Sequence, residues 1–144
     1  MRVCISQIYI RPGINFPFSH LFQKWLSGEL TSIIQPSTYF IHRYGGDFAL
    51  IFRISAKSEI HKLEIKGPTV YKKTRDVEYT IFLPYDIIKS SNDEIAGALR
   101  YLLDGIVRIL EALKIDAGEV SMRTASIIEH VRSEPSMITR KGIS

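Results

Sequence analysis

The chain has 144 residues, 45% of them hydrophobic and 24% charged, with a formal net charge of +4 and a single cysteine, Cys4. That length suits one ordinary domain with its own core, and plentiful aromatic and β-branched residues exclude a disordered chain. One cysteine excludes an internal disulfide framework, and no window approaches the ~18 uninterrupted apolar residues of a membrane span.

Residues 2–10 read as a strand: Val3, Ile5, Ile8 and Ile10 recur near a period of two, with a slip of phase at Ser6–Gln7. Its apolar run is broken and lacks a small-residue cleavage site, which argues against a signal peptide and for a cytoplasmic protein. Cys4 lies in this apolar run and reads as a small buried hydrophobe. Arg11-Pro12-Gly13 ends the strand. Ser19 is placed to cap a short helix with Leu21, Phe22, Trp25 and Leu26 on one face, and Gly28 stands where a C-terminal cap belongs. Thr38–Arg43 is rich in strand formers, and Tyr44-Gly45-Gly46-Asp47 reads as a hairpin turn into a second strand, Phe48–Ile54. That second strand is apolar on both faces apart from Arg53, as a central strand would be.

Beyond Lys57-Ser58, His61, Leu63 and Ile65 alternate with Lys62, Glu64 and Lys66. Gly67-Pro68 implies a bulge or bend, and Thr74-Arg75-Asp76 a turn. Val77, Tyr79, Ile81 and Leu83 then form an alternating strand stopped by Pro84. Ser91 caps a long helix, in which Ile95, Leu99, Leu102, Leu103, Ile106, Ile109, Leu110 and Leu113 recur at three- and four-residue spacing. Asp116-Ala117-Gly118 breaks it, and 119–132 form a weaker helix. The expected architecture is a single α+β domain over 1–132. It is a two-layer sandwich, an antiparallel meander of four to five strands packed by the long C-terminal helix, with a polar, frayed tail over 133–144.

Charge is concentrated in one place. Lys57–Arg75 holds six Lys/Arg against two acids, a net +4 that equals the charge of the whole chain. Three readings stay open: a solvated face or a strand edge protected by lysines, a site for an acidic protein, and a nucleic-acid contact. Lys62, Lys66, Lys72, Lys73 and Arg75, with the interleaved Tyr71, are the candidates. A stacking platform for bases needs several exposed aromatics, and only Tyr71 and Phe82 qualify. Arg43, Tyr44 and Asp47 at the glycine turn form a second candidate group.

Catalytic signals are sparse. His20, His42, His61 and His130 have no metal-ligand spacing, and neither a phosphate loop nor a nucleophile elbow is present. His42, His61 and Lys62 supply acid–base residue types without a pattern that assembles them. The expectation is no enzyme, no metal and no cofactor.

The runs Tyr44-Gly-Gly-Asp-Phe-Ala-Leu-Ile-Phe-Arg-Ile-Ser-Ala-Lys57, Glu64-Ile-Lys-Gly-Pro-Thr-Val-Tyr-Lys-Lys73 and Val77-Glu-Tyr-Thr-Ile-Phe-Leu-Pro84 resemble bacterial immunity proteins of contact-dependent growth inhibition and other polymorphic toxin systems. The resemblance implies a non-catalytic protein that neutralises a cognate toxin domain by direct binding. Many immunity proteins that face nuclease toxins are acidic, whereas this chain is basic. The implied toxin then carries an acidic patch, or its contact avoids the 57–75 face. A nucleic-acid-binding module and a small histidine-based enzyme are the alternatives.

Overall fold

The computed structural model describes residues 1–9, 18–57, 62–84 and 91–138. In chain order the elements are strand β1 (Arg2–Tyr9), helices α1 (His20–Ile33) and α2 (Thr38–Tyr44), and strands β2 (Ala49–Lys57), β3 (Glu64–Tyr71) and β4 (Asp76–Pro84). Helices α3 (Asn92–Ala112) and α4 (Gly118–Ser133) and a 3-10 turn at Pro135–Met137 follow. The fold is α+β, with a four-stranded mixed sheet in the order β1-β2-β4-β3. β1 and β4 both run parallel to β2, and β3 alone is antiparallel, to β4.

Alternation decides which face of the sheet meets the helices. Val3 and Ile5, Leu50, Phe52 and Ile54, and Val77, Tyr79, Ile81 and Leu83 are buried and share one core with the buried residues of all four helices. On the opposite face Cys4, Ile51, Arg53, Glu78, Thr80 and Phe82 are only half-buried. The sheet is therefore packed on one side, with a half-wet second face.

Helix α3 behaves as its sequence stripe predicts. Every residue of the stripe from Ile95 to Leu113 is buried, and Ser91 caps the start by accepting from the Glu94 N–H. Gly105 lets the helix come close to the sheet: a Cβ there would stand 3.2 Å from Ile81 and 3.4 Å from Leu63. At the far edge, α1 closes off β1. The Ser27 and Thr31 hydroxyls donate to the Val3 carbonyl at 2.6 and 2.9 Å, which occupies an acceptor on that edge. The predicted phase slip in β1 is a register shift between Ile5 and Gln7.

Several expectations are corrected. The antiparallel meander is a mixed sheet, because β1 supplies a parallel neighbour to β2 and β4 inserts between β2 and β3. Thr38–Tyr44 is a helix. Ser37 caps it by accepting from the Phe40 N–H at 3.0 Å, and the four-residue spacing turns Phe40 and Tyr44 inward, ring centroids 5.2 Å apart. A short apolar run carries no period long enough to separate helix from strand, so burial decided it. Gly45 is consequently a helix cap at φ +104, not half of a hairpin turn, and its N–H donates to the Ile41 carbonyl. Helix α1 runs through Gly28 to Ile33, and Leu21 points outward. Order also persists beyond Ser133: Met137 and Ile138 are buried, and Ile138 bridges Phe18. Residues 139–144 lie outside the described residues.

Candidate functional site

Parallel pairing of β2 with β4 builds the site. Ala49 opposes Asp76 in the register, and the Ala49 N–H donates to the Arg75 carbonyl at 2.8 Å. The segment leading into β2, residues 45–48, therefore lies beside the β3–β4 turn, residues 72–75. The Asp47 carboxylate pairs with the Arg75 guanidinium across this junction. Two candidate groups far apart in sequence thus meet at one end of the sheet, a corner joined by this pair: Arg43, Tyr44 and Asp47 from one segment, Lys72, Lys73 and Arg75 from the other, with Tyr71 beside Asp76 at the margin on the half-wet face. Lys72 and Lys73 are exposed at the turn, and Tyr71 is 44% exposed.

Lys62 and Lys66 are not part of this corner. Lys62 precedes β3, which begins at Glu64, so the two lysines do not share a strand face. Lys66 opposes Thr80 on the half-wet face, with its Nζ 5.6 Å from the Phe82 ring centroid. The basic segment is divided between a strand face and a turn.

A second set of residues completes the corner on the helical side. Tyr39 and Arg43 are four apart on α2 and stand on one face. Arg43 Nε donates to the Tyr44 hydroxyl at 3.2 Å, and its guanidinium carbon lies 5.6 Å from the Tyr44 ring centroid. The Ser37 hydroxyl donates to the Leu113 carbonyl at 2.8 Å, which holds α2 against the end of α3. Lys114, just past that end, places its Nζ 5.6 Å from the Tyr39 ring centroid. Tyr79, on β4, lies within electrostatic range of Tyr44, Tyr39 and Arg43.

The electrostatics follow from this crowding. Burial pushes the Tyr79 phenol up to about 12; nearby Tyr44 and Tyr39 push the same way, and Arg43 opposes them. The Arg43 guanidinium is held above its ordinary range, first by its hydrogen bond to Tyr44 and then by the Tyr39 and Tyr44 phenols. Gly67 makes room for the Tyr79 ring. A Cβ at Gly67 would stand 3.0 Å from Tyr79 Cδ1 and 2.8 Å from the Glu78 carbonyl oxygen, and its φ is +130. The predicted interruption at Gly67-Pro68 is this close approach, seen as a register shift between Lys66 and Thr69.

Sequence reasoning named Arg43 and Tyr44 but missed Tyr39, Tyr79 and Lys114. Tyr39 was hidden by the strand assignment of 38–43. Read as a helix, the Tyr39–Arg43 spacing would have exposed the shared face. Tyr79 and Lys114 carried no local signal, because only packing brings them to α2.

Among the described residues, no histidine is grouped with the corner's charges. His42 is exposed on α2, and Asp47 pairs with Arg75 instead. His61 lies outside the described residues. His130 stacks on Trp25 at 4.3 Å between centroids, in a cleft of about 360 Å³ between α1 and α4. Among the described residues no three His, Cys, Asp or Glu are grouped to hold a metal, and no helix is long and apolar enough to cross a membrane. Comparison with protein-family models, with curated proteins and with solved structures gives no match.

Proposed function

We propose that this protein is a non-catalytic inhibitor, an immunity protein that acts in the cytoplasm by binding a cognate bacterial toxin domain. The observation that carries the reading is the corner itself. Parallel β2–β4 pairing unites Arg43, Tyr44 and Asp47 with Tyr71, Lys72, Lys73 and Arg75, and exposed aromatics and arginine are the residue types that anchor protein interfaces. Cations at the rim suit a toxin surface with an acidic patch and would speed encounter. Inhibition of this kind needs no chemistry. Covering an active site with an interface of ~1,600 Å² is sufficient when a few anchors are desolvated.

The test is binding to, and protection from, a toxin domain encoded by the neighbouring reading frame. Lys72→Glu/Lys73→Glu should slow association at least tenfold and flatten its salt dependence, because charge complementarity acts first on the on-rate. Lys66→Glu, on the half-wet face, should change it little. Wild-type binding to polynucleotide at micromolar concentration in physiological salt, with no affinity for the neighbouring gene product, would replace this reading with a nucleic-acid module. Turnover of a phosphodiester that disappears in His42→Ala would replace it with an enzyme.

A further inference from the structure

The corner holds more than rim charge. Arg43 holds the Tyr44 hydroxyl, Tyr39 stands one turn earlier on the same face of α2 with Lys114 against its ring, and Tyr79 lies within electrostatic range of Tyr39, Tyr44 and Arg43. Arg43 and Lys114 are cationic, and phenols donate hydrogen bonds through neutral hydroxyls. Asp47, the nearest acid on the α2–β2 connection, is engaged by Arg75. Such a set attracts an anion and orients it.

Position favours use. Arg43 is exposed and Tyr39 is 38% exposed, whereas Tyr79 is only 7% exposed. A ligand would meet guanidinium and phenol at the surface with an aromatic floor behind them. Val70, on the helix-facing side of β3 opposite Val77, is 39% exposed and extends the apolar surface at this end of the sheet. One guanidinium beside aromatic and aliphatic surface matches a carboxylate on a short apolar stem. A nucleic-acid backbone needs a row of cations instead.

We infer that the Arg43–tyrosine cluster is a carboxylate-binding site that seats an Asp or Glu side chain of the protein partner. This rests on the reading of the protein as an inhibitor that binds another protein. Arg43 supplies the charge, and the tyrosine hydroxyls and rings fix orientation. A bidentate guanidinium–carboxylate contact with a desolvated aromatic backing is the kind of anchor that dominates an interface. Lys72 and Lys73 steer; Arg43 anchors.

The experiment needs no toxin, so its failure is separable from failure of the inhibitor reading. The full chain is titrated with N-acetyl-glutamate-N-methylamide, with the glutamine analogue as neutral control and phenyl phosphate as the phosphate arm. Tyrosine ring signals, the Arg43 Nε–H signal and the Lys72 and Lys73 side-chain signals are followed by nuclear magnetic resonance. Saturable shifts at Tyr39, Tyr44 and Arg43 with the glutamate compound, at least tenfold weaker with the glutamine one, are expected. Arg43→Gln should weaken binding at least tenfold. Tyr79→Phe, which keeps the ring, should weaken it severalfold while the fold persists. Equal shifts from glutamate and glutamine, shifts confined to Lys72 and Lys73, or tenfold tighter binding of phenyl phosphate would each overturn the inference.

Discussion

Gly67 offers the sharpest test of the packing around Tyr79. A methyl group at this position would sit 2.8 Å from the Glu78 carbonyl oxygen and 3.0 Å from Tyr79 Cδ1. Ordinary van der Waals contact begins near 3.4 Å, so β3 and β4 would have to separate locally by about 0.6 Å. The obstructing oxygen belongs to backbone, which cannot swing aside as a flexible side chain can. The φ of +130 adds a conformation that L-residues rarely adopt. Strain of this kind costs about 1–3 kcal/mol and overpacking about the same again, so Gly67→Ala should destabilise by about 2–6 kcal/mol. That is a large share of the ~5–15 kcal/mol that holds a small domain. Urea denaturation, with a slope of about 2 kcal/mol/M, should show the midpoint falling by roughly 1–3 M with the slope unchanged. Gly28→Ala is the matched control. It lies exposed within α1 with nothing within 4 Å of the added Cβ, so it should stabilise by about 1 kcal/mol through helix propensity. A Gly67→Ala variant within about 0.5 kcal/mol of wild type would refute the argument that glycine is required there.

Leu102→Asp and Ile106→Asp bury an unpaired charge beneath α3 and should unfold the protein, since such burial costs several kcal/mol; unchanged circular dichroism and a monomeric state would contradict the buried stripe. The folded state holds the Tyr79 proton more tightly than the unfolded chain, because its pKa is raised from 10.0 to about 12. This stabilisation is complete below about pH 10 and lost as pH rises through about 12, an alkaline fall of about 2–3 kcal/mol that Tyr79→Phe should remove from the pH dependence of urea midpoints. Asp47→Asn should leave stability within about 0.5 kcal/mol, because the Asp47–Arg75 pair is 59% exposed on both sides. It should still strengthen binding to an acidic surface by removing a competing carboxylate, which on-rates at low salt would report.

Elements with a long or well-punctuated pattern were legible from residues alone. The α3 stripe spans enough turns for its period to be unambiguous, and hydroxyl caps at Ser19 and Ser91 are local chemistry that the structure repeats. The β1 phase slip and the Gly67-Pro68 interruption were equally local, since side-chain alternation and the conformational limits of glycine and proline act within a few residues. Strand partners were not local. Which strands pair depends on which surfaces bury together across long loops, and no alternation pattern records whether β2 meets β3 or β4. The seven residues Thr38–Tyr44 illustrate the same limit, because their aromatic content suits a strand and only the inward fit of Phe40 and Tyr44 makes them a helix. The candidate site inherits both decisions. Composition alone picked out Arg43, Tyr44 and the basic run, but the corner exists because β4 lies parallel to β2, and its tyrosine cluster because α2 is a helix docked on the end of α3.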